Sequence, residues 1–238
     1  RSIQSRPLQY MKAVIMAGGL GQRLRPFTYV TPKPLLPVNN MCSIEFLIKE
    51  LKNYNVEEVF ISVNYLKEKF DVCYSYEKKY GVKITLIEEE ERMGTVGSLS
   101  LMKNFLDDNF IVLNGDLFTS INYKKMLNKF NKTAADAMIC VKKEATTSPY
   151  GVVSYDENDQ LIAITEKPTY FDWINAGIYL FSPGIISHIK KEYFDMPDLL
   201  RTLKKENKKI IIFDIGEKWL DIGKVEDYEE ASTIINNW

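Results

Sequence analysis

Apolar and polar positions divide the first half of the chain into short apolar runs and longer periodic segments. Residues 43–54 and 66–80 carry apolar side chains three and four positions apart, which predicts helices with one buried face. The short runs are rich in β-branched residues and predict buried strands at 13–16, 58–63, 82–87 and 110–113. This alternation of strand and helix predicts βαβ units, right-handed crossovers and a mainly parallel sheet.

Local signals refine this pattern, and the second half of the chain departs from it. Ser43 is a predicted N-cap of the first helix, and Gly81 is a predicted end of the second. Two later helical patterns cover residues 195–207 and 224–236. Between the pattern of the first half and these two helices, apolar runs are separated by turn residues. They predict an added mixed sheet with strands at 137–142, 150–155, 160–166 and 173–181.

The composition narrows the classes of protein to which the chain can belong. With 238 residues it is long enough for one sizeable domain, and a net charge of −1 lacks the basic excess of a nucleic-acid-binding protein. No apolar run approaches the length of a membrane span. Cys42, Cys73 and Cys140 fit no C-x-x-C pattern and are predicted to be reduced thiols in a cytoplasmic protein. The single histidine, His188, argues against a Ser-His-Asp triad and a histidine-rich zinc site.

Residues 12–38 carry the strongest chemical signal. An apolar strand ends in Gly18, Gly19 and Gly21, two arginines follow within four residues, and Lys33 lies between two prolines. Glycines let backbone N–H groups surround phosphate oxygens, while arginine and lysine supply positive charge. The segment therefore predicts a phosphate-binding loop with cationic anchors. Its spacing matches neither the P-loop nor the dinucleotide-binding fingerprint.

This segment resembles the signature of the sugar-1-phosphate nucleotidyltransferases, A-G-G-x-G-[TS]-R-L-x-P-x-T-x-x-x-P-K-P-L-x-P-V, with Gln22 in place of the usual Thr or Ser. The resemblance implies a Rossmann-like three-layer α/β/α nucleotidyltransferase fold with a mainly parallel central sheet and an inserted mixed-sheet sugar-binding region. It also implies that residues 11–238 form one catalytic domain. Residues 1–10 are polar and lack periodicity, which predicts a linker or tag remnant. The nucleotide-binding residues that it implies in the loop are Ala17, Gly18, Gly19, Gly21, Gln22 and Arg23.

Four consecutive glutamates at 88–91 lie just past a predicted strand, where open α/β sheets bind ligands, although a charge run is often only a solvated face. In the resembling family this is the base-reading segment, and it is followed by a glycine-threonine turn that Gly94 and Thr95 match. One carboxylate can accept both N1–H and N2–H of guanine. Uracil and thymine offer a single donor, which suits glutamine better. Spacing from Gly94 makes Glu89 the predicted base-reading residue, with Glu91 second, and this favours GTP.

Two aspartates are implied as metal ligands. Asp116 follows a predicted strand in N-G-D, where the family carries an aspartate that binds Mg²⁺ beside the α-phosphate, and Asp221 lies in W-L-D-I-G, which resembles the family's W-x-D-x-G. Mg²⁺ prefers one or two carboxylates together with phosphate oxygens and waters. The resemblance therefore implies Mg²⁺ as the cofactor.

Three segments match the sugar-side motifs of the family: Y-G-V-V at 150–153, E-K-P at 166–168 and N-A-G-I-Y at 175–179. A glutamate accepts hydrogen bonds from sugar hydroxyls, and a neighbouring lysine neutralises the sugar phosphate. The E-K-P motif by itself is uninformative, because exposed Glu–Lys pairs are common. The sugar-binding residues implied by the three motifs together are Tyr150, Gly151, Glu166, Lys167, Asn175 and Gly177.

The resemblance implies an enzyme that joins an NTP and a hexose 1-phosphate into an NDP-sugar and pyrophosphate, for glycan or nonulosonic acid biosynthesis. GTP is the favoured nucleotide, and glucosamine 1-phosphate or mannose 1-phosphate is the favoured acceptor. The catalytic residues that it implies are Arg23, Lys33, Asp116, Lys167 and Asp221. Alternatives are a dTTP-, UTP- or CTP-dependent enzyme of the same class, a CMP-sugar synthetase or molybdenum-cofactor nucleotidyltransferase, and a non-catalytic sugar-nucleotide sensor.

A narrower resemblance is to nucleotidyltransferase domains that follow a tandem CBS pair, a branch that includes the glucosamine-1-phosphate guanylyltransferases of legionaminic acid biosynthesis. It implies an N-terminal regulatory domain outside these 238 residues. Because relatives commonly assemble, a homo-oligomer is a further expectation. No nucleic-acid or membrane partner is predicted.

Overall fold

The computed structural model describes residues 11–216 and 218–238, so the predicted linker or tag remnant at 1–10 lies outside the described residues. In chain order, the strands are β1 (Met11–Met16), β2 (Pro37–Val38), β3 (Met41–Cys42), β4 (Val56–Val63), β5 (Lys83–Glu88), β6 (Phe110–Asn114), β7 (Leu117–Thr119), β8 (Ala137–Thr147), β9 (Val152–Tyr155), β10 (Leu161–Thr165), β11 (Thr169–Phe181), β12 (Ile210–Asp214) and β13 (Trp219–Asp221). The α-helices are α1 (Ser43–Asn53), α2 (Cys73–Tyr80), α3 (Tyr123–Thr133), α4 (Met196–Lys205) and α5 (Val225–Asn236).

The central sheet has seven strands in the order β12-β8-β11-β6-β1-β4-β5. Strand β1 lies between β6 and β4 and pairs in parallel with both, and β12 pairs in parallel with β8. Only β11, among the strands of this sheet, runs antiparallel to both of its neighbours. The predicted mainly parallel sheet is therefore confirmed. The carboxyl ends of β1 and β6 meet at one edge, as parallel pairing requires.

Helices and short 3₁₀ segments cover both faces of this sheet and form three layers. Alternate residues of β1 point to opposite faces: Ala13 and Ile15 pack with the apolar faces of α1 and α3, whereas Val14 packs with α4 and the 3₁₀ segment Gly97–Met102. A smaller core centred on Leu24 and Phe118 packs beneath α5. The predicted α/β/α architecture is confirmed.

Two local predictions in the first half of the chain were wrong. Cys42, not Ser43, occupies the N-cap position of α1, and the Ser43 hydroxyl donates instead to the carbonyl of Gly115 at 2.7 Å. The predicted helix at 66–80 divides into the 3₁₀ segment Lys67–Val72 and α2. Apolar spacing cannot separate these two helix types, since both present a stripe at intervals of three to four residues.

The predicted mixed-sheet region forms a projecting arm, by which we mean residues 142–175. Because β11 pairs with β6 only from Ile178 onward, its earlier residues extend past the carboxyl end of β6, paired with the outer half of β8. Strands β9 and β10 form an antiparallel hairpin at the outer end. The strands predicted here are confirmed, with β8 and β11 longer than expected. The arm rises from the same sheet edge at which β1 and β6 end.

Candidate active site

A buried threonine fixes the conformation of the glycine-rich loop after β1. Gly21 adopts a left-handed backbone conformation with a φ of 59°, and a Cβ there would lie 2.8 Å from Cγ2 of Thr28. The Thr28 hydroxyl donates to the Gly21 carbonyl at 2.8 Å, which fixes the turn. Gly19 has no heavy atom within 4 Å of the corresponding position, so its backbone faces open space. Thr28 was not singled out from the sequence, although it lies at a matched position of the signature.

This loop forms one wall of a cavity of about 220 Å³ at the carboxyl edge of the sheet. Of the residues proposed from the sequence, the cavity wall contains Ala17, Gly18, Gly19, Gly21, Lys33, Glu89, Gly94, Thr95 and Asp116. Residues that the sequence did not indicate also line it, among them Arg92, Asn114, Tyr193 and Asp195. Seven of the nine predicted nucleotide-binding residues therefore line one cavity, and Gln22 and Arg23 do not.

Lys33, Asp116 and Asp221 form a charged cluster at the edge of this cavity. Asp116 follows β6, and the antiparallel pairing of β13 with β7 places Asp221 opposite Leu117, beside Asp116. The Lys33 ammonium contacts the Asp116 carboxylate and lies 3.5 Å from Oδ1 of Asp221. Two aspartates 105 positions apart are thus brought together by one short strand pair, as the shared metal-ligand prediction requires.

The electrostatics of this cluster favour an added positive charge. Burial, reinforced by the Asp116 carboxylate, raises the pKa of Asp221 to about 6, even though Lys33 opposes the shift. Oδ1 of Asp116 is buried and accepts no hydrogen bond from any residue that the structure describes. Two neighbouring carboxylates with an unused oxygen are the donor set that a hard divalent cation binds. The donor set at this site therefore fits a hard divalent cation of the kind to which Mg²⁺ belongs.

Arg23 lies close to the same cluster. Its guanidinium Nη1 lies 3.7 Å from the point that a Cβ on Gly223 would occupy, and Gly223 is two residues after Asp221. The Arg23 side chain is exposed. The next residue, Leu24, is fully buried in the core under α5 and anchors the short helical turn that carries Arg23. Gln22 is also exposed on this turn, and neither Gln22 nor Arg23 contributes to the cavity wall.

Glu89 is the only buried member of the four-glutamate run. The Ser62 hydroxyl donates to its Oε1 at 2.6 Å, and the backbone N–H of Met93 donates to its Oε2 at 3.1 Å. The carboxylate fills the space left by the missing side chain of Gly18, where a Cβ would lie 2.9 Å from Oε1. Each oxygen retains acceptor capacity. Glu91, the second choice, is exposed and lines a different cavity.

The Gly94-Thr95 turn is fastened to the start of α4. Gly94 has a φ of 74°, and a Cβ there would lie 2.6 Å from the backbone oxygen of Phe194. Oδ1 of Asp195 accepts from the Thr95 backbone N–H at 2.9 Å, and the Thr95 hydroxyl accepts from the Met196 N–H at 2.7 Å. Asp195 therefore holds one wall of the cavity. The sequence placed a helix start here but offered no sign that it meets the turn.

The sugar-side residues occupy two separate places. Gly177, with a φ of 70°, packs so closely on Asn114 of the cavity wall that a Cβ would lie 2.5 Å from its Nδ2. The Gly177 N–H donates to Oδ1 of Asn175 at 3.1 Å. In the arm, a Cβ on Gly151 would lie 2.9 Å from Oε2 of Glu166, so these two residues adjoin.

The four sugar-side residues of the arm are not among the residues that line the cavity. Tyr150, Gly151, Glu166 and Lys167 are all exposed, and none of them contributes to the cavity wall. The structure thus groups the loop residues, the two aspartates and Gly177, and leaves these four apart on the arm.

Two residues weighed as nucleophile or base lie elsewhere. Burial raises the pKa of the Cys42 thiol above its ordinary value, which keeps the thiol protonated and unreactive. His188 pairs through Nδ1 with Glu206 at 2.9 Å and does not line the cavity. Within the described residues, no helix is both long and apolar enough to cross a membrane.

Residues 12–237 match the sequence model of the Nucleotidyl transferase family, so the chain belongs to that family. It is 33% identical over 224 residues to the mannose-1-phosphate guanylyltransferase catalytic subunit beta of Dictyostelium discoideum, covering 92% of this chain and 62% of that protein. It is also 31% identical over 241 residues to the UTP--glucose-1-phosphate uridylyltransferase of Synechocystis, covering 93% of this chain and 62% of that protein. The chain thus spans less than two thirds of these relatives.

Among solved structures, HddC from Yersinia pseudotuberculosis complexed with GMP-PN superposes with a TM-score of 0.74 at 26% identity, covering 94% of this chain and 99% of that chain. Three-dimensional similarity over nearly the whole length accords with the family assignment from sequence. The described fold is therefore that of a nucleotidyl transferase.

Proposed function

We propose that this chain is the catalytic domain of a Mg²⁺-dependent sugar-1-phosphate nucleotidyltransferase that transfers GMP from GTP to a hexose 1-phosphate. The single observation that carries this proposal is the cluster of Lys33, Asp116 and Asp221 beside a glycine-rich loop. Together they offer what a triphosphate and a cation need: backbone N–H groups, a lysine and two adjacent carboxylates. A sensor that only bound a sugar nucleotide would have no need of the paired carboxylates.

The proposed reaction needs positioning and charge neutralisation and no protein nucleophile. A phosphate oxygen of the sugar 1-phosphate attacks the α-phosphorus of the nucleotide, the bond to the β-phosphate oxygen breaks, and pyrophosphate leaves. Arg23 stabilises the leaving pyrophosphate, and Lys33 and Lys167 hold the α-phosphate and the sugar phosphate. Asp116 and Asp221 would hold Mg²⁺, which supplies charge neutralisation at the phosphates.

The preference for guanine rests on Glu89. Its carboxylate lines the cavity, and the bonds from Ser62 and Met93 fix its orientation while leaving acceptor capacity for two ligand donors. Guanine presents two adjacent N–H donors, which one carboxylate accepts together. The guanylyltransferase relative and the GMP-PN complex of HddC support this choice, whereas the uridylyltransferase relative supports a UTP-dependent alternative.

For the acceptor we propose mannose 1-phosphate or glucosamine 1-phosphate. The Dictyostelium relative, a mannose-1-phosphate guanylyltransferase, supports the first. The three buried, free cysteines of the described residues fit a reducing, cytoplasmic setting. Regulation by an N-terminal domain stays a prediction from the narrower resemblance.

The test is pyrophosphate release with Mg²⁺, using GTP, UTP, dTTP and CTP, each paired with mannose, glucose, glucosamine and N-acetylglucosamine 1-phosphates. We expect turnover with GTP and one of the two proposed acceptors, and loss of turnover on chelation of the metal. Preference for another nucleotide would contradict the proposed role of Glu89, but it would still support nucleotidyltransferase activity. No release with any pair would favour the sensor.

A further inference from the structure

A short segment at the end of β4 holds the cavity wall without lining the cavity. It comprises Ser62 to Tyr65, the last two residues of the strand and the two that follow, and we call it the bracing segment. None of these four residues is among those that line the cavity. Each of them nevertheless forms a hydrogen bond to Glu89, on the cavity wall, or to Thr28, which fixes the glycine-rich loop. The segment therefore connects two parts of the site that lie far apart in the chain.

On the base side of the cavity, the bracing segment holds both the side chain and the backbone of Glu89. The Ser62 hydroxyl donates to Oε1 of Glu89 at 2.6 Å. The Val63 carbonyl accepts from the Glu89 N–H at 2.9 Å, which continues the parallel ladder of β4 and β5. Nδ2 of Asn64 donates to the Glu89 carbonyl at 2.8 Å, a bond that main-chain pairing does not supply. Glu89 is therefore fixed in place by three consecutive residues.

On the phosphate side, the half-buried Tyr65 reaches the glycine-rich loop through Thr28. The Tyr65 hydroxyl donates to the Thr28 carbonyl at 3.0 Å, and the Thr28 hydroxyl donates in turn to the Gly21 carbonyl at 2.8 Å. Thr28 is buried, so removal of the phenolic hydroxyl would take a donor from a carbonyl that water does not readily reach. Tyr65 thus acts on the phosphate loop through one intermediate residue.

The bracing segment is anchored at both ends. Its first two residues belong to β4, a buried strand of the central sheet. The chain leaves the segment through Leu66, which has a φ of 50° in the left-handed region. Residues with a Cβ rarely adopt this conformation, and it persists where the surrounding structure holds the chain in place. The 3₁₀ segment Lys67–Val72 follows at once and is fastened to the core by the buried Phe70. The bracing segment is therefore a rigid support.

We propose that Tyr65 is a positioning residue that sets the glycine-rich loop at a fixed distance from Glu89, with Asn64 as its counterpart on the base side. The base and the phosphates belong to one nucleotide, so the two parts of the cavity must keep a matching separation for both to bind productively. A rigid segment bonded to both parts maintains this separation. The inference rests on the proposed function, in which Glu89 reads the base and the loop binds the phosphates.

The first test measures binding of GTP and of inorganic tripolyphosphate by calorimetry, with Mg²⁺ and without a sugar phosphate. Tripolyphosphate carries the phosphates without a base. Tyr65→Phe should weaken both ligands by the same factor, about 10-fold, because it acts on the loop alone. Asn64→Ala should weaken GTP by a similar factor and leave tripolyphosphate unchanged. A merely structural role would not separate the two ligands in this way. The control is Tyr74→Phe, on an exposed tyrosine of α2 that should bind both ligands like the wild type.

The second test is a double-mutant cycle on kcat/KM for GTP in pyrophosphate release. Thr28→Val removes the hydroxyl that holds Gly21, so it breaks the same chain of hydrogen bonds as Tyr65→Phe. The double variant should lose no more than the larger of the two single losses. Urea titration checks that each variant folds.

The outcomes separate this inference from the proposed function. Unchanged tripolyphosphate affinity in Tyr65→Phe, or losses that add in the double variant, would overturn the role of Tyr65 while the wild type still binds GTP and turns it over. A wild type that binds neither GTP nor tripolyphosphate would overturn the proposed function and this inference with it.

Discussion

Glu89 is the buried carboxylate that we propose to select the nucleotide. If it accepts two N–H donors from guanine, Glu89→Gln replaces one acceptor with a donor that faces a guanine N–H. We expect KM for GTP to rise about 10- to 100-fold, in line with the roughly 1–3 kcal/mol of a bidentate base contact. The preference should move toward UTP or dTTP. Steady-state kinetics with each nucleotide measure the change.

The exposed Glu91 offers a matched control for this substitution. Glu91→Gln changes the same chemistry two residues away and outside the cavity wall, so its kinetics should equal those of the wild type. Equal losses in both variants would point to the net charge of the run and would remove Glu89 from base recognition.

Arg23 is the second residue whose proposed role can be separated from that of a neighbour. Arg23→Ala should lower kcat/KM by a factor on the order of 10² to 10³, comparable to the loss of one preorganised donor. Arg25 is also exposed, but its guanidinium lies 5.0 Å from the centre of the Tyr29 ring. Arg25→Ala should therefore stay within a few-fold of the wild type. Near-normal turnover of Arg23→Ala would exclude Arg23 from the mechanism.

At the scale of elements, the turn at Gly94 follows β5 along the cavity wall and contacts the start of α4. Gly94→Ala would force a left-handed conformation on a residue with a Cβ, at roughly 1–3 kcal/mol. It would also drive that Cβ against the backbone of Phe194. We expect the free energy of unfolding, measured by urea titration, to fall by at least that amount.

Gly184 provides the control for this loss of stability. It has no neighbour within 4 Å of its Cβ position and no positive φ, so Gly184→Ala should leave the unfolding midpoint almost unchanged. A Gly94→Ala protein as stable as the Gly184→Ala protein would show that the turn is not fixed by its contact with α4.

The elements themselves follow from local pattern more readily than their contacts do. Apolar periodicity placed α1, α4 and α5 within a residue or two, because each has one buried stripe. It missed the division of the predicted helix at 66–80 into two segments after Val72, and it missed the hydrogen bond from the Ser43 hydroxyl to the Gly115 carbonyl. It also missed that Asp195 holds Thr95, since these residues lie 100 positions apart and nothing local marks the pair. Long motifs singled out the glycine-rich loop and the two aspartates that the structure brings together, because each motif is a run of consecutive residues.

At the scale of the whole molecule, the arm packs separately from the layers around the central sheet. Among the described residues, no buried apolar side chain lies between Val141 and Ala176, so the arm contributes nothing to the cores around the central sheet. Sequence pattern found the strands of the arm but not this independence, because alternation predicts a strand whether or not a second layer covers it.

This separation predicts the outcome of removing the outer arm. The Ser148 N–H donates to the carbonyl of Pro168 at 3.0 Å, so an Asn-Gly turn can replace residues 149–167 and join β8 to β11. We expect the shortened protein to keep its Tm within a few degrees and to bind GTP normally by calorimetry, because its cores and cavity wall are intact. Pyrophosphate release should be lost, since Glu166 and Lys167 are gone.

A matched control separates chemistry from geometry in this experiment. Glu166→Gln with Lys167→Met keeps the hairpin and removes only the two charges proposed to hold the sugar phosphate. It should raise KM for the sugar 1-phosphate and leave GTP affinity unchanged. Normal turnover in both proteins would contradict a sugar site on the arm and would assign acceptor binding to the neighbourhood of Asn114 and Gly177, where the sheet edge already meets the nucleotide cavity.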